Sequence, residues 1–146
     1  MRSLTLAALF TGASAFLISS AFAAGFFHSV KDPATKKECG ACHMVYPPAL
    51  LPARSWEKIV GDLSNHFGED ASLPDPVRAN ILAYLTQNAG DSGQTNSWFM
   101  RGVRDNVVPP RITEMPFWRG IHGGFSPASF KRPGVKKRGN CLGCHS

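Results

Sequence analysis

The sequence predicts a mainly α chain, with a helical stretch over residues 24–90 and a segment of little regular structure over 91–146. Three observations carry this. Apolar residues recur at helical spacing between capping and breaking residues through the first stretch. After Asp91 the periodicity fades, and Gly, Ser, Pro and basic residues dominate. The pentapeptide Cys-x-x-Cys-His occurs once in each stretch, as 39–43 and 141–145, and the two copies use all 4 cysteines. No strand-type alternation surrounds either copy.

The chain opens with Arg2, apolar runs over 4–10 and 13–18, and then Ala21-Phe22-Ala23. A charged start, an apolar centre and an A-x-A end describe a secretory signal peptide over 1–23, cleaved after Ala23. A retained transmembrane anchor is the rival reading. The interruptions at Thr11-Gly12, Ser14 and Ser19-Ser20 and the A-x-A end favour cleavage. No later apolar stretch reaches the roughly 18 residues of a span, so residues 24–146 are expected to be soluble, without stable membrane insertion.

Asp32-Pro33 starts a first helix, with Asp as N-cap and Pro at the first helical position, and this helix runs into the first Cys-x-x-Cys-His. Pro47-Pro48 and Pro52 impose an extended connection. Ser55 is the expected cap of a second helix, with Glu57 in its first turn. The stripe Trp56, Ile59, Val60, Leu63 and Phe67 gives that helix one apolar face, His66 falls on it, and Gly68 is placed to end it. Asp75-Pro76 opens a third helix carrying Val77, Ile81, Tyr84 and Leu85, with a break near Gly90. In the second stretch, residues 116–122 form a short helix, capped by Thr113 and stopped at Gly123. Trp118 and His122, four apart, then share a face.

The paired motifs carry the chemistry. Two thiols three positions apart can each form a thioether with one of the two haem vinyl groups. The His that follows then lies under the porphyrin and offers an imidazole nitrogen to iron. Cys39, Cys42, Cys141 and Cys144 are thus the covalent haem attachments, and His43 and His145 the proximal ligands. A four-cysteine zinc site separates its arms by about 15–20 residues, far less than the span from Cys42 to Cys141. A thioredoxin-like site needs one motif on a βαβ frame. Disulfides leave both adjacent histidines without a reason.

The sixth ligand decides function, because methionine raises the reduction potential, a second imidazole lowers it, and an open position admits small ligands. His66 is the candidate for the first haem and His122 for the second, with Gly123-Gly124 allowing backbone to approach the porphyrin. Swapped ligation stays open. His28 packs or is solvated. Met44 directly follows His43 and cannot serve its own haem; Met100 and Met115 remain rivals.

The Ile-x-x-Tyr-Leu stripe of the third helix resembles the C-terminal helix of class I monohaem cytochromes c, which packs across the motif-bearing helix. More broadly, Glu38 through Trp56, His66 through Leu73, Arg111 through Trp118, His122 and Asn140 through His145 resemble, in order, the small bacterial dihaem cytochrome c family. The resemblance implies periplasmic electron transfer through two low-potential bis-histidine haems, with His66 and His122 as the non-motif ligands. It also implies a redox partner, which in some members is a high-spin monohaem cytochrome c; a membrane cytochrome b is the other partner to consider for an exported electron carrier. Family chains continue beyond the second motif whereas this one ends at Ser146, so the second haem is expected to be more exposed.

No nucleophile, general base or substrate pocket is evident, so an enzyme is not expected. A haem peroxidase or ligand-binding protein with one five-coordinate iron is one alternative, and a small dihaem electron-entry subunit of a periplasmic reductase is another. The net charge is +6 before the haem propionates lower it, and nucleic acid is not expected as a partner of an exported haem protein. Lys131, Arg132, Lys136, Lys137 and Arg138 crowd the approach to the second motif. They form either a solvated loop or a patch that steers an acidic redox partner.

Overall fold

The computed structural model describes residues 29–93, 95 and 97–145. The expected signal peptide and His28 lie outside the described residues. Four α-helices joined by short 3-10 turns make up the regular structure of the described residues.

Helix α1 (Pro33–Cys39) starts as expected. Asp32 Oδ2 accepts from Thr35 N at 2.7 Å and from Thr35 Oγ1 at 2.8 Å. The hydrogen bond from the Thr35 backbone holds the Asp32 carboxyl below the usual carboxylate range. The helix ends at Gly40, where a Cβ would run into the carbonyl of Lys36. The chain then passes through a 3-10 turn (Pro48–Leu50) into α2 (Ala53–Gly61).

The start of α2 corrects the sequence expectation. Ser55 lies inside the helix, fully buried, and does not cap it. The cap comes from far along the chain: Asp91 Oδ1 accepts from Ala53 N at 2.7 Å, and its Oδ2 lies 2.9 Å from Arg54 Nη1. The end of α2 differs as well. The helix stops at Gly61, before Leu63, His66 and Phe67, and the chain continues as a 3-10 turn (Leu63–Asn65).

Helix α3 (Asp75–Gln87) opens at Asp75-Pro76 as expected, with Asp75 in its first turn and Pro74 flanking it. It packs against both α1 and α2. Tyr84 Oη accepts from Lys31 N at 2.8 Å, tying the start of the described chain to α3. At Gly90 the backbone passes close to its neighbours. A Cβ there would lie 2.5 Å from Met100 Cε and 2.6 Å from Ala49 O, so only glycine fits. Helix α4 (Pro116–His122) follows a 3-10 turn (Ile112–Glu114), and its cap is Met115, not Thr113.

One apolar cluster holds these elements together. Leu50, Leu51, Trp56, Val60, Ile81, Leu85 and Ala89 share it with Phe99, Ile112, Met115 and Trp118, so it crosses residue 90. Met115 is fully buried in it, and Met100 packs against it. Trp56 fixes the connection before α2 by donating Nε1–H to Pro48 O at 2.8 Å. Beyond α4 the chain is irregular. Among the described residues two 3-10 turns (Pro127–Lys131 and Cys141–Gly143) interrupt it, and Val135 is buried there.

Candidate haem sites

The short turn after α2 aims His66. His66 N donates to Glu69 O at 2.8 Å and Glu69 N returns to His66 O at 3.3 Å, with Phe67 (φ 57°) and Gly68 (φ 99°) between them. A left-handed backbone costs a non-glycine residue about 1–2 kcal/mol. The Arg111 guanidinium, 4.3 Å above the Phe67 ring, helps to hold that residue there. Phe67 itself is exposed and does not continue the apolar stripe. His66 is therefore presented by a strained turn, not by a helix face.

This turn brings the His66 ring opposite His43, with centroids 6.2 Å apart and planes inclined by 22°. In the second stretch, His122 in the last turn of α4 faces His145, with centroids 6.1 Å apart and planes at 78°. The separations have a chemical meaning. Imidazole nitrogens bind metal ions at about 2.0–2.1 Å and lie about 1.1 Å from their ring centres, so two rings ligating one ion from opposite sides have centroids about 6.3 Å apart. Both pairs match that spacing.

The tautomers suit ligation too. His43 Nδ1 lies 2.6 Å from Met44 O, and His122 Nδ1 lies 3.0 Å from Trp118 O. A carbonyl only accepts, so each Nδ1 carries the proton and each Nε2 keeps its lone pair for iron. Burial, reinforced by repulsion from His43, lowers the His66 pKa and favours its neutral form, the one that binds metal.

His66 and His122 each line a cavity, which the motif histidines do not reach. The first, about 420 Å³, is lined by Ser55, Lys58, Ile59, His66 and Arg111 among others. The second, about 410 Å³, is lined by Trp118, His122, Phe125, Phe130 and Arg138 among others. Haem is an apolar disc with two anionic propionates; the first cavity offers a mainly apolar lining with Lys58 and Arg111, and the second a more polar one in which Trp118, Phe125 and Phe130 stand with Arg119, Arg138 and Glu114. Ser55, at the wall of the first cavity, has its Oγ buried without a hydrogen-bond partner among the described residues.

The four cysteines are not joined in disulfides. Cys39 and Cys141, the first of each motif, are half-buried, and desolvation pushes both thiols up; Cys42 and Cys144 are exposed. Arg132 Nη2 points to Cys144 Sγ at 3.8 Å, and Arg138 lies 5.4 Å above the Phe130 ring. All five basic residues singled out near the second motif are exposed, as is His145, whereas His43 is partly covered.

Sequence reasoning missed Tyr46. Its ring centroid is 5.1 Å from that of His43, and its hydroxyl donates to Gly139 O at 2.6 Å, two residues before Cys141. It thereby links the two motif regions. A Cβ on Gly139 would lie 2.9 Å from the Tyr46 hydroxyl oxygen, so a larger residue would crowd this contact.

The sequence profile of the "Dihaem cytochrome c" family matches residues 35–146. The chain belongs to the dihaem cytochrome c family. Its fold is similar to that of a diheme cytochrome c from Rhodobacter sphaeroides, with 45% identity over 79% of this chain and 90% of that one, at a TM-score of 0.73. It is also similar to a diheme cytochrome type c from Shewanella baltica OS155, with 35% identity over 77% of this chain and 79% of that one, at a TM-score of 0.63. A search of curated proteins finds no match. This dihaem cytochrome is accordingly mainly helical, carries two covalently bound haem c groups and serves in electron transfer. Among the described residues, no helix is long and apolar enough to cross a membrane.

Proposed function

We propose that this dihaem cytochrome carries electrons in the periplasm through two low-potential, bis-histidine haems. Cys39 and Cys42 hold the first haem between His43 and His66. Cys141 and Cys144 hold the second between His145 and His122. The observation that carries this reading is the pair of ring separations, 6.2 and 6.1 Å, each suited to one iron between two imidazoles. Each haem supplies an iron that gains and loses one electron, and imidazole on both faces favours a low potential.

The protein's own residues do the rest. Both Nδ1–H bonds hold the ligand rings in the tautomer that leaves Nε2 free. Lys58 and Arg111 at the first cavity, and Arg119 and Arg138 at the second, offset propionate charge. Residues 24–90 and 91–146 each hold one haem on the shared apolar cluster. Residues 1–23 direct export and are removed after Ala23. The exposed basic run from Lys131 to Arg138 steers an acidic redox partner, a high-spin monohaem cytochrome c or a membrane cytochrome b, to the second haem.

Single replacements test the ligand pairs. His66→Ala should turn half of the haem high-spin in the visible spectrum, and His122→Ala the other half, with the double variant wholly high-spin. If either single change alters both haems or neither, the pairing is wrong.

A further inference from the structure

The two ligand pairs differ in one respect that the motifs do not predict. The rings of His43 and His66 are near-parallel at 22°, whereas those of His122 and His145 are near-perpendicular at 78°. We propose that Trp118 is a positioning residue that fixes the ring plane of His122, and so holds the second haem's imidazoles crossed while those of the first lie parallel. The inference rests on the ligand pairs proposed above.

Two contacts from one residue hold the ring. The Trp118 indole lies against the imidazole with centroids 4.3 Å apart and planes within 12°. The Trp118 carbonyl accepts the Nδ1–H bond at 3.0 Å. A ring stacked on a wide flat neighbour cannot turn about its Cβ–Cγ bond without losing the stack, and the Nδ1 bond opposes the same rotation. Trp118 is itself held, 7% exposed, in the apolar cluster and against Phe130 at 5.8 Å. Phe125 flanks His122 at 6.1 Å and 41°, too inclined to act as a second stacking plate. At the first pair the neighbours are tilted or edge-on: Tyr46 meets His43 at 33° and Phe67 meets His66 at 64°. There the His66 ring follows the strained turn, and among the described residues no stacked aromatic plate lies beside it.

Crossed and parallel imidazoles leave different marks on ferric low-spin iron. Parallel rings split the two iron orbitals that project out of the porphyrin plane and overlap the imidazole π systems, and give a rhombic spectrum. Crossed rings make those orbitals nearly equal in energy and give a strongly anisotropic signal with one large g value.

The test is electron paramagnetic resonance of the oxidised holoprotein. The wild type should show two low-spin signals of equal weight, one rhombic and one strongly anisotropic. In His66→Ala only the anisotropic signal should remain low-spin, which assigns it to the second haem. Trp118→Leu should broaden that signal and move it toward the rhombic form, with the first haem's signal unchanged, and Trp118→Phe should keep it by preserving a stacked ring. Two rhombic signals in the wild type would overturn the proposal even if Trp118→Leu does not fold. An anisotropic signal that Trp118→Leu leaves unmoved would overturn it too. A high-spin or methionine-ligated haem in the wild-type visible spectrum would remove the ligand pairs themselves, a failure distinct from a wrong ring orientation.

Discussion

Asp91 makes two contacts that can be separated by mutation. It caps α2 from outside, accepting the Ala53 N–H at 2.7 Å through Oδ1, and pairs with Arg54 through Oδ2 at 2.9 Å. Arg54 also reaches Val107 O at 2.7 Å and Arg104 O at 3.0 Å, and so steadies the strand of chain that continues into Val108–Arg111 beside the first cavity. Loss of a helix cap costs about 0.5–2 kcal/mol. The ion pair contributes about 0.2–1 kcal/mol, because its partners are 26% and 35% exposed and water screens them. Asp91→Ala removes both and should destabilise the holoprotein by about 1.5 kcal/mol. Asp91→Asn keeps an oxygen acceptor for Ala53 and should cost about 0.5 kcal/mol. With a urea slope of about 1–3 kcal/mol/M, the alanine variant should lose about 0.5–1.5 M in midpoint at unchanged slope. Far-UV circular dichroism during urea unfolding reads this. If the two variants unfold at the same midpoint, Asp91 does not cap α2 and the reasoning fails.

Other perturbations reach the remaining parts of the account. Tyr46→Phe removes the bond to Gly139 O and should lower stability by about 0.5–1.5 kcal/mol, measured by the same titration, while both haems stay low-spin. Gly90→Ala forces a Cβ against Met100 and Ala49 and should cost about 1–3 kcal/mol; a neutral result would mean the backbone there is free to shift. Reversing charge at Lys136 and Lys137 should slow reduction of an acidic partner about tenfold at low ionic strength, with the difference vanishing at high salt. Stopped-flow kinetics across a salt series would reveal a patch that steers nothing as a rate unchanged by the reversal.

How far the sequence could be read depended on how local each cause was. Asp32 and Pro33 cap α1 from adjacent positions, and the four-residue step from Trp118 to His122 put both rings on one face, where they stack. Both follow from rules that act within one turn of chain. Ser55 misled because it was the nearest capping side chain, while the real acceptor is Asp91, 38 residues beyond Ala53. Phe67-Gly68 looked like the end of a helix. The helix stops earlier at Gly61, and those two residues form the turn that presents His66. The bond from Tyr46 to Gly139 joins positions 93 apart, with nothing local to announce it. Which histidines stand opposite each other was equally non-local. The sequence supplied His66 and His122 as candidates, and only three-dimensional packing set one against His43 and the other against His145.

The central claim is that each haem sits between two imidazoles, and the visible and near-infrared spectrum of the oxidised holoprotein tests it most directly. Two low-spin, six-coordinate haems per chain are expected, with near-infrared bands of bis-imidazole ligation. A high-spin charge-transfer band, or the long-wavelength band of methionine-to-iron ligation, in the freshly purified protein would contradict it.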